Sequence, residues 1–314
     1  MQDTTASRAS LRHPSALVVG AASRDRTPDD PRGWRLGGAV TYGALTLSRL
    51  GLRVLAVIGV DREASTSAEL DLLRAAGVHV RLVALARGPV FVNDERPDGR
   101  VQACVEASDR LPAAAASAAV DGFVPEAVLF APVADELGDE WAAVAPPTAV
   151  AGLGWQGLLR TLHAGAPVER RPPAPSALLG RADIVGLSRG DVAPDLPIAD
   201  LEAVVGPEAT ILLTDGDRGG FSGSGGHPSG RRRWHAYRAI PADAVVDPTG
   251  AGDVFLATLL AARVDPRRLG GPQGSGLDLR LAAAAASLTV EAPGLFGVPD
   301  LGSMLRRAAR RRSG

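Results

Sequence analysis

Lysine is absent from the 314 residues, so all 34 positions counted as lysine or arginine are arginine. Mechanisms built on a lysine amine fall away with it: the P-loop kinases, the eukaryotic-type protein kinases and the Schiff-base enzymes. If this chain handles phosphate, it must do so with backbone N–H groups, arginine and metal. The single cysteine, Cys104, excludes an internal disulfide and a multi-cysteine zinc site, and is expected as a small packing residue. No apolar run reaches transmembrane length, and the start lacks a basic region followed by an apolar one. A cytoplasmic protein without membrane contact is expected. A formal net charge of −1 gives no electrostatic footprint for nucleic acid. The five histidines show no close metal-ligand spacing. No Gly-x-Gly-x-x-Gly follows the first apolar run, which argues against a Rossmann-type dinucleotide site.

What is present centres on Val245-Val-Asp-Pro-Thr-Gly-Ala-Gly-Asp-Val-Phe255. The run Ala244 to Val246 reads as a strand, Asp247 to Gly252 as a tight turn, and Val254 to Ala262 as a buried helix. Small residues at Gly250, Ala251 and Gly252 let backbone N–H groups converge at the positive end of a helix dipole, which suits an anion such as a transferring phosphoryl group. Asp253, in the first turn, is placed to take a proton from an attacking hydroxyl. A Gly-Ala-Gly-Asp by itself is also what an ordinary helix start looks like.

The longer Asp247-Pro-Thr-Gly-Ala-Gly-Asp253 resembles the C-terminal signature of the ribokinase-like (PfkB) family of small-molecule kinases, usually Asp-Thr-x-Gly-Ala-Gly-Asp, with Pro248 as a departure. The resemblance extends over residues 16 to 302 through four motifs in the family's order. It implies an α/β fold: a three-layer sandwich with a mostly parallel central sheet, helices on both faces and a small β lid. One domain, 1–314, is expected, with lid elements near 33–37 and 87–107. The implied activity is ATP-dependent phosphorylation of a hydroxyl on a small polyol, sugar, cyclitol or nucleoside. Mg2+ is expected on chemical grounds, because without lysine the phosphate charges need neutralising. A homodimer through the lid belongs to the same expectation.

Site residues follow position by position. The strand Ala16 to Gly20 ends before Asp25, which sits where family members bind substrate. Gly37-Gly38 opens the helix Ala39 to Leu50 and resembles the family's Gly-Gly-x-x-x-Asn, with Tyr42 in the Asn position. Tyr42 therefore offers one hydroxyl and an apolar ring, which suits a compact cyclic acceptor, or else it turns into helix packing; an aromatic residue after Gly-Gly resembles plant inositol kinases of the family, which implies a cyclitol such as myo-inositol. The strand Arg53 to Val60 precedes a capping-box pattern, Thr66-Ser-Ala-Glu69, ahead of a helix from Leu70 to Ala76. Val78 to Ala86, Pro89 to Asn93 and Arg100 to Glu106 read as a strand and a hairpin.

Beyond residue 120, strands are expected at Ala127 to Ala131, Thr148 to Gly152 and Ala182 to Ser188, with a helix from Glu136 to Val144. Ser188-Arg-Gly-Asp191 stands where the family has Asn-x-x-Glu, a magnesium-organising motif, so Asp191 is carried over as the metal candidate and Ser188 is equally a helix N-cap. Thr214 to Gly220 resembles the nucleotide-side turn, with Thr214, Gly216 and Gly219 in matching places. Asp247, Thr249 and Ser287 complete the implied nucleotide side. Residues 1 to 14 read as a loose tail, Gly223 to Gly230 as a loop tip and Arg231 to Arg233 as a solvated strand start. Arg306, Arg307 and Arg310 to Arg312 read as a basic tail. Loss of the Asn and Asn-x-x-Glu positions leaves a second reading open, a family-like protein that binds a ligand without catalysis.

Overall fold

Ala16 to Val19 and Val54 to Ile58 are apolar at every position, the pattern of strands buried on both faces. The computed structural model, which describes residues 13–96, 99–115, 120, 122–226, 231–269 and 276–310, buries both runs. In chain order the first half comprises β1 (Ser15–Ala21), β2 (Ser23–Arg26), β3 (Trp34–Gly37), α1 (Ala39–Arg49), β4 (Arg53–Val60), α2 (Ala68–Ala75), β5 (His79–Ala84), β6 (Val90–Arg96), β7 (Gly99–Glu106) and β8 (Ala127–Phe130). The middle adds β9 (Val150–Gly154), β10 (Arg160–Thr161), β11 (Ala166–Pro167), β12 (Glu169–Arg170), α3 (Ala177–Arg181), β13 (Ile184–Ser188), α4 (Ile198–Val204) and β14 (Thr210–Thr214). The last part holds β15 (Gly220–Ser224), β16 (Arg233–Tyr237), α5 (Ala251–Val264), α6 (Pro266–Leu269), α7 (Leu277–Thr289) and α8 (Leu301–Ala309).

Nine strands form the central sheet in the order β16-β15-β14-β13-β9-β8-β1-β4-β5. The seven from β14 to β5 are parallel, and β15 and β16 are antiparallel additions at one edge. Because alternate side chains of a strand point to opposite faces, β1 feeds two cores. Ala16 and Val18 join the cluster under α1, α5 and α7, whereas Leu17, Val19 and Ala21 join the one containing Trp141, Trp155 and Leu201. Helices thus cover both faces. No helix among the described residues is long and apolar enough to cross a membrane.

A second sheet of five strands, β11-β7-β6-β2-β3, stands beside the first. The segments 33–37 and 87–107 contribute three of its strands. Two members were not foreseen: β2, which carries Asp25, and the short β11. Each is only a few residues long and owes its extended state to its partners, β2 lying between β3 and β6 and β11 pairing with β7.

Several local expectations are corrected. The segment 136–144 is a 3-10 turn, Asp139–Val144, and Glu136 is a buried carboxylate instead of a helix start. The Thr66/Glu69 capping box does not form. Ser67 is the N-cap, and Glu69 accepts hydrogen bonds from Arg32 and from the Leu36 N–H, because Arg32 offers it a charged partner. Arg232 is not solvated, its side chain being 5 % exposed and donating to the carbonyls of Ala209 and Gly206. Arg307, read as tail, is buried on α8. The expectations for residues 1–12 of the N-terminal tail, 227–230 of the loop tip and 311–312 of the basic tail lie outside the described residues.

Candidate active site

The run Ala244 to Val246 is not a strand. Val245 and Val246 are 72 % and 59 % exposed, and the N–H groups of Val246 and Asp247 both donate to the carbonyl of Val290. This segment lies along the turn after α7 instead of joining the sheet. At its end Gly250 adopts a left-handed conformation, φ +80°, and caps α5.

The direction of α5 fixes where that cap opens. A Cβ on Gly152 would lie 3.4 Å from Leu260, and one on Gly186 would lie 3.2 Å from Leu256. The helix therefore runs antiparallel to β9 and β13. Gly252 is one turn before Leu256 and Ser188 two residues after Gly186, each about 6 Å further along. The Gly250 to Gly252 amides and Asp253 accordingly open at the carboxyl ends of the parallel strands, where α/β sheets hold ligands.

Asp247 organises the approach to this turn. Its Oδ1 accepts from the Thr249 N–H at 3.0 Å and its Oδ2 from the Gly294 N–H at 2.9 Å. The Arg35 guanidinium, from β3, stands 3.6 Å from the same Oδ2. Tyr42 is only 1 % exposed, and a Cβ on Gly250 would overlap its ring. Tyr42 thus forms the floor beneath the cap.

The second sheet brings the acceptor-side residues together. Asp25 on β2 is directly opposite Arg35 on β3, and Ser23 Oγ donates to Asp25 Oδ1 at 3.0 Å. A Cβ on Gly37 would overlap Asp25 Oδ2, and one on Gly38, φ +94°, would lie 2.7 Å from the Ala21 carbonyl oxygen. Only glycine lets the carboxylate and the β1 exit approach this closely. Asp25, Gly37 and Gly38 therefore share one place, with Tyr42 one turn further along α1.

On the donor side, Thr214 ends β14 next to Ser188, with which it pairs in register, and its Oγ1 donates to the Leu187 carbonyl at 3.3 Å. Gly216 and Gly219 both have positive φ in the turn that follows, +57° and +92°. Arg218 binds Asp215 there and holds its carboxyl below the usual range. Ser287, 6 % exposed, faces inward: its Oγ donates to the Pro241 carbonyl and accepts from Arg307, which also binds Glu291 and Asp243.

Asp191 is likewise turned inward. Its Oδ2 accepts from the Ser188 N–H at 2.7 Å and its Oδ1 from Gln156 at 2.8 Å, with Arg160 at 4.0 Å. With Ser188 Oγ accepting from the Gly190 N–H, this is a capping box. Among the described residues no group of three His, Cys, Asp or Glu could hold a metal ion. With no such set among the described residues, a magnesium here would draw ligands from donor phosphate oxygens and water.

Two residues escaped the sequence reading. Glu136, 1 % exposed, accepts from the N–H groups of Ala21 at 2.8 Å and Ala134 at 2.7 Å. It pins the β1 exit, just before β2, to the segment after β8. Burial pushes its carboxyl up against the pull of those donors. Nothing in Ala134-Asp-Glu-Leu137 signals this. Arg35 did carry a signal, as the one charge in Trp34-Arg-Leu-Gly37.

Comparison with known proteins agrees with this fold. Residues 194–299 match the model of the pfkB family carbohydrate kinases. A pyrophosphate-dependent kinase of the ribokinase family, solved with a pyrophosphate analog and myo-inositol, superimposes with a TM-score of 0.70 at 19 % identity, over 93 % of this chain and 99 % of that one. The fold is ribokinase-like. Arabidopsis thaliana ribokinase with ribose and ATP shares this ribokinase-like fold at a TM-score of 0.65 and 19 % identity, over 96 % and 100 % of the two chains. The nucleoside kinase of Methanocaldococcus jannaschii gives 0.60 and 16 %, over 94 % and 98 %. A search of the curated proteins found no match.

Proposed function

We propose that this ribokinase-like protein is a kinase that transfers a phosphoryl group to a hydroxyl of a small cyclitol, sugar or nucleoside, with ATP as donor. The observation that carries the reading is the Gly250-capped start of α5, which opens at the carboxyl ends of the parallel strands with Asp253 in its first turn. Asp25, with Gly37 and Gly38 beside it, holds acceptor hydroxyls. Asp253 removes the proton from the attacking oxygen, and the Gly250 to Gly252 N–H groups stabilise the charge on the phosphoryl in transit. Thr214, Gly216 and Gly219 border the donor. Magnesium bound with the donor would supply neutralisation of its phosphate charge.

Tyr42, buried beneath the turn, favours the packing alternative over direct contact with the acceptor, and myo-inositol is the first candidate. The acceptor of the pyrophosphate-dependent neighbour supports that choice. The same neighbour favours pyrophosphate as a second donor. A dimer through the second sheet is part of the same reading. The competing reading, ligand binding without catalysis, rests on Tyr42 and on Ser188/Asp191 replacing the usual Asn and Asn-x-x-Glu positions. A screen of cyclitols, sugars and nucleosides against ATP and against pyrophosphate, read as donor consumption, tests the proposal. Acceptor-dependent consumption supports it, and binding of donor and acceptor with no consumption favours the competing reading.

A further inference from the structure

We infer that Arg35 is a positioning residue of the phosphoryl-transfer turn, acting through Asp247 as a fixed cation supplied by the second sheet. Its consequence for catalysis rests on the kinase reading above; its geometry does not.

Asp247 poses an electrostatic difficulty for that reading. It places a carboxylate three residues before Gly250, in the turn that must attract an anion, and an uncompensated negative charge there opposes phosphate. Its oxygens also fasten the turn, one to the Thr249 N–H and the other to the Gly294 N–H. Removing the carboxylate would release both amides; keeping it requires a counter-charge. Arg35 Nη1 at 3.6 Å from Asp247 Oδ2 provides one. The two side chains are 23 % and 17 % exposed, so the pair is shielded from solvent more than a surface pair is.

Packing keeps the guanidinium in this place. A Cβ on Gly294, φ +53°, would lie 3.7 Å from Arg35 Cδ and 4.0 Å from the Tyr42 hydroxyl oxygen, while the Cδ1, Cε1 and Cζ atoms of the same ring lie against Gly250. Arg35, Asp247, Gly294, Tyr42 and Gly250 therefore form one contiguous group. Arg35 is also the cross-strand partner of Asp25, so the pair of strands that holds the acceptor carboxylate also holds the cation. The position of the second sheet and the charge of the anion turn are thereby linked through one side chain.

The test uses the full chain with Arg35→Gln, Arg35→Lys and Arg35→Ala. In the unliganded protein, hydrogen exchange at the Thr249 and Gly294 amides should quicken in Arg35→Gln while the β4 amides stay protected. In the presence of the best acceptor, kcat should fall about tenfold or more with donor and acceptor KM changed far less. Arg35→Lys should keep more activity than Arg35→Gln because it keeps the charge. Added guanidinium ion should restore part of the kcat of Arg35→Ala, which leaves room for it, and none of that of Arg35→Gln. Unchanged exchange together with unchanged kcat overturns the inference, as does an equal loss in the Lys and Gln variants. If the wild type consumes no donor with any acceptor but the exchange effect appears, the positioning role stands and the kinase reading falls.

Discussion

Gly250→Ala is the sharpest structural perturbation available, because two separate penalties meet at one Cβ. The left-handed φ of +80° costs a non-glycine residue about 1–2 kcal/mol. The new methyl group must also displace the Tyr42 ring, which is fully buried and has no free direction to move, and overpacking of this kind costs about 1–3 kcal/mol. Together they predict a loss of about 2–5 kcal/mol. The two parts separate in a double-mutant cycle with Tyr42→Leu, whose shorter side chain leaves the space open. In that background only the backbone penalty remains, so the coupling energy between the two sites should be about 1–3 kcal/mol. Urea unfolding of the four proteins, analysed at constant m, measures it. A coupling below about 0.5 kcal/mol would show that the ring is not the floor of the turn.

Asp253→Asn should lower kcat about 10²- to 10⁴-fold, the usual worth of general-base catalysis, with donor affinity nearly unchanged; wild-type turnover would remove Asp253 from the mechanism. Asp191→Ala should cost about 0.5–2 kcal/mol as a lost cap while leaving the magnesium concentration needed for half-maximal rate unchanged, and a large rise in that concentration would restore Asp191 as a metal ligand. Arg307→Ala should cost about 3–5 kcal/mol, because Glu291 and Ser287 lose a buried partner; a change under about 0.5 kcal/mol would return Arg307 to the role of a surface tail.

The parts legible in the sequence were those whose signal is local. Apolar runs such as Val54–Val60 marked the parallel sheet, because burial on both faces leaves no polar position to blur the pattern. Asp25, Gly37 and Gly38 were named from separate stretches, and the structure sets them side by side. The failures came where tertiary partners decide. Val245 and Val246 have strand-like side chains, but the N–H groups of Val246 and Asp247 are taken by the Val290 carbonyl after α7, and both valines stay exposed. Glu136 and Arg307 look like surface charges until the backbone amides and carboxylates that hold them arrive from distant segments.

Phosphoryl transfer itself is the central claim, and phosphorus NMR of the reaction mixture reads it directly. Wild-type protein should be incubated with magnesium, either ATP or pyrophosphate, and myo-inositol followed by the other cyclitols, sugars and nucleosides, with Asp253→Asn run in parallel. A phosphomonoester resonance that grows with acceptor and donor in the wild type, and is nearly absent in Asp253→Asn, is the predicted result. No phosphomonoester with any acceptor, from folded protein shown to bind the donor, would contradict it.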